Sequence, residues 1–350
     1  MQLQVRVCED AGEWDALVER SPHATVFHRW KFLKVMEKHS ATEFLGRRYK
    51  CRLYPLIGCN NGTPVGIYPI FYYDSRFVKL ALSPPLKTGV TYMGPLIAGY
   101  ESLKQSKKEE YSFGLQKSVD SFLSSELSAN LIKVRTPPHC EDVRAFSWNG
   151  YSTEPLYNYE LDLSKGLACV WEGFDKELRK NIKKTEKADV VVREGTRHEL
   201  GLLCDSLAAR YSEQGVSSDV RRDYLFDAYD CLHPENIKFL VAEKDEAYVT
   251  SLLLLAYRGK AHAWLGTIKT TTEGLYPNDL LLWESMRWAH DTGCSTFEII
   301  WANTQRLCRY KSRYDPSSTV YYSCTKVSPH IAFASRLKKR LVYPKGLETK

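Results

Sequence analysis

No apolar run in the 350-residue sequence is long enough to cross a membrane. The longest, Ser251–Tyr257 (SLLLLAY), is bounded by Thr250 and Arg258, far short of the ~20 residues a spanning helix needs. The first ten residues, MQLQVRVCED, lack the basic-then-apolar order of a secretory leader. There is no CxxC among the ten cysteines, and no two lie closer than eight residues. That spacing argues against a zinc site and against the disulfide framework of a small secreted chain. Gly (20) and Pro (15) are too few for a collagen-like or low-complexity chain. These absences point to a cytoplasmic protein with free thiols, no metal and no transmembrane segment.

Hydrophobic residues make up 43% and charged residues 26%, which excludes disorder across the chain. At about 100–200 residues per domain the length suggests two domains, with one large domain the alternative. Net charge is +7 but unevenly spread. Residues 1–150 carry 20 Lys+Arg against 15 Asp+Glu, residues 151–328 carry 23 against 26, and residues 329–350 carry six against one. A uniformly basic nucleic-acid binder is therefore excluded. Basic charge is local, as in Lys176, Arg179, Lys180, Lys183, Lys184 and Lys187, opposed by Glu177 and Glu186.

Periodicity gives a coarse element order. Glu13–Val18 and the segment after His28 or Arg29 are helical. Arg47–Ile57 and Val65–Phe71 form a hairpin about Asn60-Asn61-Gly62. Val90–Ile97 is extended, with a Gly94-Pro95 corner. Glu101–Leu127 is a helix interrupted near Gly114, and Leu131–Arg135 is a strand. Tyr157–Leu163 is a strand, then Val170–Ala188 a helix with Trp171, Phe174, Leu178 and Ile182 on one face. Val190–Arg193 is a strand, followed by helices at Glu199–Gln214 and Val220–Cys231. Three strands follow, Ile237–Glu243, Tyr248–Tyr257 and Ala261–Ile268. Lys269–Pro277 is a polar loop. Helix Asn278–Thr292 ends at Gly293, and Phe297–Trp301 and Val320–Cys324 are the last strands. Each half mixes helices with a largely antiparallel sheet, so the expected class is α/β with mixed sheets in two similar units.

At this point the residues resemble a known family. Trp14, Ser21-Pro22, Phe27-His28, Trp30, Pro69 and Met93-Gly94-Pro95-Leu96 are similar to the first half of FemAB/FemX-like acyltransferases, a group that includes the CelD-like proteins. Leu178-Arg179-Lys180-Asn181-Ile182-Lys183-Lys184 resembles that family's basic helix. Tyr276-Pro277-Asn278-Asp279 through Trp283-Glu284 resembles its "P-x-x-L-L-x-W-E" helix start. Gly293, Phe297-Glu298-Ile299 and Tyr310-Lys311-Ser312-Arg313-Tyr314 resemble its "G-x-x-x-F-D" strand and "F-K-x-x-F" loop. The resemblance implies tandem GNAT-like domains at 1–155 and 156–328, with a basic segment 329–350 returning to the first. It implies transfer of an acyl or aminoacyl group to an amine or hydroxyl of a cell-envelope, polysaccharide or peptide acceptor. The donor is acyl-CoA or aminoacyl-tRNA. Two departures stand out: Glu298 replaces the family's Asp, and no Q/R-x-x-G-x-G/A loop exists to cradle a pyrophosphate at a helix start. The alternative is a non-catalytic GNAT-like module that binds RNA or an anionic glycolipid.

Lys311 is the first functional candidate, for a phosphate or a developing oxyanion, with Arg313 as a bidentate phosphate contact. Tyr310 accompanies them. Arg179, Lys183 and Lys187 fall at i, i+4 and i+8 and form one cationic stripe for pyrophosphate or RNA. Tyr276, Asn278 and Asp279 sit at a helix start, either as a cap or as part of a donor site. Glu284 and, ranked lower, Glu298 are candidate bases. His262 is a sheet histidine and His28 packs at a helix start. The tail Arg336–Arg340 is basic and partly amphipathic, and reads either as a contact with anionic lipid or RNA at the inner face of the membrane or as a solvated end packing on the first domain. An anionic, phosphorylated acceptor is expected between Val170–Ala188, Lys269–Asn278 and Tyr310–Tyr314.

Overall fold

The computed structural model describes residues 3–44, 47–75, 78–213, 220–266 and 274–331. The tail Arg336–Arg340 and most of the Lys269–Pro277 loop lie outside them. The first half contains β1 (Gln4–Val7), α1 (Ala11–Arg20), α2 (Trp30–His39), β2 (Ala41–Phe44), β3 (Arg47–Asn60), β4 (Thr63–Asp74), β5 (Lys79–Ser83), β6 (Leu96–Ile97), α3 (Gln105–Ser125), β7 (Leu131–Arg135) and α4 (Arg144–Ser147). The second contains β8 (Ser152–Asp162), α5 (Leu167–Gly173), α6 (Lys176–Glu186), β9 (Val191–Glu194), α7 (Leu200–Glu213), α8 (Arg222–Leu232), β10 (Ile237–Lys244), β11 (Ala247–Tyr257), β12 (Lys260–Gly266), α9 (Pro277–Asp291), β13 (Thr296–Ile299), α10 (Gln305–Lys311) and β14 (Ser317–Val327).

Local chemistry sets these bounds. The Asp10 carboxylate accepts from the Glu13 amide at 2.6 Å and starts α1, whose Trp14, Leu17 and Val18 are buried. Asn61 (φ 48°) and Gly62 (φ 81°) give the paired left-handed residues that a tight β3–β4 hairpin requires.

Four expectations need correction. Helix α3 runs through Gly114 without a break; a Cβ there would meet Leu3 Cγ at 3.0 Å, so the glycine serves close packing. Only Leu96–Ile97 of Val90–Ile97 pairs as a strand. The single helix Val170–Ala188 is two helices, α5 and α6. Phe174 turns extended (ψ 144°) and is buried against Trp283 and Tyr314, and the Asp175 amide donates to the Arg313 carbonyl at 2.9 Å. Tertiary packing overrides helical periodicity there. Residues Tyr310–Tyr314 are the end of α10 and a following 3₁₀ turn, not a loop.

All described strands join one mixed sheet, with central order β5-β7-β14-β8-β13-β12. Pairs β5–β7 and β12–β13 are parallel, and the others in this stretch are antiparallel. The last strand, β14, lies between a first-half strand and β8. The proposed division near residue 155 falls within β8, which pairs β14 on one edge and β13 on the other.

Strand β7 runs toward Arg135, opposite Ser323 of β14. Strand β13 runs the other way, toward Ile299, which is level with Ser318 through Tyr159. The carboxyl ends of the two parallel pairs therefore point at each other across the middle of β14 and β8. Crevices outside the carboxyl ends of parallel neighbours are where α/β sheets bind ligands.

Tyr321, on β14 in this central region, is fully buried, with its ring 5.7 Å from that of Tyr92. Tyr321→Ala should cost about 3–5 kcal/mol. The wild-type chain should melt in one transition by both circular dichroism and tryptophan fluorescence. Two separated transitions would contradict a sheet shared by both halves.

Candidate active site

The two facing strand ends enclose a cleft of about 570 Å³. The first half contributes Pro85–Thr91, after β5, and Arg135, the end of β7. The second contributes Trp264–Gly266 of β12, Ile299 at the end of β13 with Ile300 and Trp301 after it, Asn278 at the start of α9, and Arg306, Tyr310 and Lys311 of α10. Its charged lining residues are Lys87, Arg135, Arg306 and Lys311; no carboxylate is among the described lining residues.

Lys311 is buried, at 7% exposure. Its Nζ donates to the Ile300 carbonyl and to the Trp301 carbonyl, the latter at 2.8 Å. Burial pushes its ammonium down to about 8. Trp301 adopts a left-handed backbone (φ 70°), uncommon for a residue with a bulky side chain. Its amide donates to Asn158 Oδ1 at 2.7 Å, and its ring lies 5.8 Å from the Arg135 guanidinium. Arg135 also donates to the Thr91 carbonyl at 3.3 Å, and burial lowers its pKa. Strain of this kind, held by bonds on both sides, is characteristic of functional positions.

Of the predicted residues, Lys311, Asn278 and Tyr310 line the cleft. Asn278 Oδ1 accepts from the Thr250 hydroxyl at 2.8 Å. Asp279 is buried, and its carboxylate accepts from Tyr310 at 2.8 Å, Tyr314 at 3.1 Å, and Arg313 at 3.1 and 3.2 Å. Burial, reinforced by the Asp279 charge, raises the pKa of both tyrosines. Arg313 is thus occupied by Asp279, and together they fasten the start of α9 to the end of α10.

The remaining predicted residues lie outside the cleft. The Tyr276 amide donates to Thr185 Oγ1 at 2.9 Å. Glu284 pairs with Arg287 at 2.8 Å along α9. Arg179, Lys183 and Lys187 lie on or just after α6 and none reaches the cleft; Lys183 sits 5.7 Å from the Trp171 ring. Glu298 is fully buried, accepting from Tyr92 at 2.6 Å and from Asn158, with His262 Nδ1 at 2.7 Å. Burial opposes its charge, but His262, Lys260 and Tyr92 hold its pKa below the ordinary carboxylate value. His28 packs as expected, donating through Nε2 to the Met93 carbonyl, and burial lowers it to about 4.

Sequence reasoning missed the first-half wall, Lys87, Arg135 and their neighbours. It also missed Trp301 and Arg306. The available signals were Arg135 directly before Thr136-Pro137-Pro138, and Asn158 as a polar residue inside an alternating strand.

Residues 173–312 match the family model described as an acetyltransferase (GNAT) domain. That match covers 140 of the 350 residues. No curated protein sequence matches the chain. Among solved structures, FemX superposes with a TM-score of 0.70 at 11% identity, over 95% of this chain and 99% of that one. L-PGS from Bacillus licheniformis gives 0.55 at 12%, over 95% and 97%. A tandem GNAT protein from the clavulanic acid biosynthesis pathway gives 0.52 at 10%, over 93% and 98%. These likenesses extend the FemX-like, tandem GNAT fold over both halves.

GNAT domains use acyl-CoA as donor, and the start of α9 is where a pyrophosphate would meet helix amides. The described residues there do not fit that group. Pro277 has no amide to offer, the Tyr276 amide is bonded to Thr185, and Asp279 places a carboxylate in the first turn. Among the described residues, no cluster of His, Cys, Asp or Glu is arranged to hold a metal ion, and no helix is long and apolar enough to cross a membrane.

Asp279→Ala would take the anionic partner from a half-buried guanidinium and two tyrosine hydroxyls, so it should destabilise the fold by about 1–3 kcal/mol in urea unfolding. A loss under about 1 kcal/mol would contradict the fastening role. Glu284→Gln should change stability by less than about 0.5 kcal/mol and leave ligand binding in the cleft intact by calorimetry. A marked loss of binding would place Glu284 in the site after all.

Proposed function

We propose that the cleft holds a phosphorylated acceptor and that the chain transfers an acyl or aminoacyl group to an amine or hydroxyl on it. The acceptor would be an anionic cell-envelope precursor, handled in the cytoplasm at the inner face of the membrane. The donor would be an acyl thioester or a charged tRNA. One observation carries this reading: four cations from both halves line a single cleft that has no described carboxylate. The printed names of the structural neighbours, FemX and L-PGS, agree with a cell-envelope setting.

The chemistry follows from what the cleft contains. Lys87, Arg135 and Arg306 would hold phosphate oxygens. Two of the three Lys311 N–H groups go to carbonyls, leaving one for the oxyanion that forms on the acyl carbonyl. A cationic surrounding disfavours a protonated amine, so an acceptor amine would lose its proton to solvent without a carboxylate base. Its nitrogen then bonds to the acyl carbon and releases a second proton to solvent, as the bond from that carbon to the donor's sulfur or oxygen breaks and the departing atom takes up a proton from solvent. Orientation supplies the remaining rate advantage.

The lack of a described carboxylate base also favours a second reading, a binding module for RNA or an anionic glycolipid. Calorimetric titration with inorganic pyrophosphate separates the two. Arg135→Ala and Arg306→Ala should each weaken binding about tenfold or more. Binding unaffected by these changes but lost in Lys183→Ala/Lys187→Ala, with a steep salt dependence, would support the second reading.

Lys311→Met should lower kcat/KM by about ten- to a hundredfold. Activity that needs the ammonium should fall as pH rises through about 8, and Lys311→Met should lose that limb. The stability effect has the opposite slope. The folded chain releases this proton near 8 rather than 10.5, so Lys311 lowers stability below about pH 8, and that cost fades as pH rises toward 10.5. An unchanged pH profile in the variant would contradict the role.

A further inference from the structure

We infer that Lys311 is itself a modification site: an acyl thioester bound in the cleft acylates the Lys311 amine and so inactivates the cleft. This rests on the acyl-transfer reading for its donor and goes beyond it in where the acyl group ends. Lys311 lines the cleft from the end of α10, and its Nζ donates to two carbonyls, those of the adjacent Ile300 and Trp301. An ammonium has three hydrogens, whereas a neutral amine has two and a lone pair. Both hydrogens of the neutral form are therefore matched here, and its lone pair remains available. Burial favours that neutral form and brings the group down to about 8, so about a tenth of the chains carry it at pH 7. Buried lysines become nucleophiles for this reason.

The amine is also held in place. Ile300 and Trp301 line the cleft themselves, so the carbonyls that fix Nζ belong to residues of the wall the donor would meet. The Trp301 amide is bonded to Asn158, and its ring lies against Arg135. A nucleophile fixed in this way needs little further ordering to react. The thiol one turn earlier on α10 is no rival: Cys308 Sγ donates to the Ala302 carbonyl at 3.3 Å, and Cys308 does not line the cleft. In the step, the Lys311 lone pair attacks the thioester carbon, a C–N bond forms and the C–S bond breaks. The sulfur departs as a thiol with a proton from solvent, and the nitrogen gives one proton up to solvent. The resulting amide has one hydrogen for two carbonyls and no charge for an oxyanion. It is too stable to pass the group on. An acceptor amine that reaches the thioester first prevents the reaction, so the cleft shuts down when donor is plentiful and acceptor scarce.

The test incubates the full chain with S-acetyl-N-acetylcysteamine and follows acetylation by digestion and mass spectrometry. The exposed Lys104 and Lys117 serve as references. At pH 8 Lys311 should gain acetyl at least tenfold faster than either. Its rate should level off above about pH 8, while those of the references go on rising. Protein acetylated at Lys311 should bind inorganic pyrophosphate at least threefold more weakly. Acetylation of Lys311 no faster than that of the references, a rate that follows theirs with pH, or unchanged pyrophosphate binding would overturn the inference. Trinitrobenzenesulfonate, which reacts with amines without an acyl-donor site, separates the causes of slow acetylation. Fast labelling of Lys311 by it would mean that the thioester does not reach a reactive amine, and the acyl-transfer reading would fail as well. Slow labelling by both reagents confines the failure to Lys311 as an acceptor.

Discussion

Strand β14 has two edges to satisfy, and it satisfies them with different halves of the chain. Its residues from Ser323 to Val327 pair with β7 and those from Ser317 to Thr325 with β8. A sheet closed in this way cannot place the halves independently, because unpaired backbone groups buried at the junction would be costly. The register brings the carboxyl ends of β7 and β13 toward one another. Everything in the proposed site follows from that meeting: Arg135 comes from one end, Ile300 and Trp301 from the other, and Tyr321 fills the centre.

The junction is also polar, and a run of hydrogen bonds links groups from both halves. Glu298 gathers Tyr92 from the first half with Asn158 and His262 from the second. Asn158 in turn accepts from the strained Trp301 amide, and Lys311 holds the carbonyls of Ile300 and Trp301. This chain of bonds fixes the cleft wall and keeps the Glu298 carboxylate out of the cleft lining. Among the described lining residues, the charge that remains is cationic. Fold and electrostatics are thus consequences of one arrangement, a buried anionic knot behind a positively charged opening.

The sequence carried the local parts of this structure well. The Asn61-Gly62 turn, the Pro277 start and Gly293 end of α9, and the three successive strands from Ile237 all follow from short-range chemistry. The family-like motifs placed Lys311, Asn278 and Tyr310, which do line the cleft. Long-range effects were not legible. Phe174 breaks a helix because of its fit against Trp283 and Tyr314, a contact across more than a hundred residues. The basic face of α6 stood out by charge density, yet α6 packs beside α9 away from the cleft. Arg135 carried no charge cluster to mark it; its importance comes from the β7–β14 pairing alone. Asp279 and Arg313 looked like ligand groups because each is a charge in a motif, and only coordinates reveal that they bind each other.

The central claim is that both halves build one anion site. Crystals soaked in selenate and measured at the selenium edge test it most directly, since the anomalous peak locates the anion without assumptions about the natural ligand. The account predicts a peak in the cleft among Arg135, Arg306 and Lys311. A peak confined to the α6 face at Arg179, Lys183 and Lys187, with none in the cleft, would contradict it.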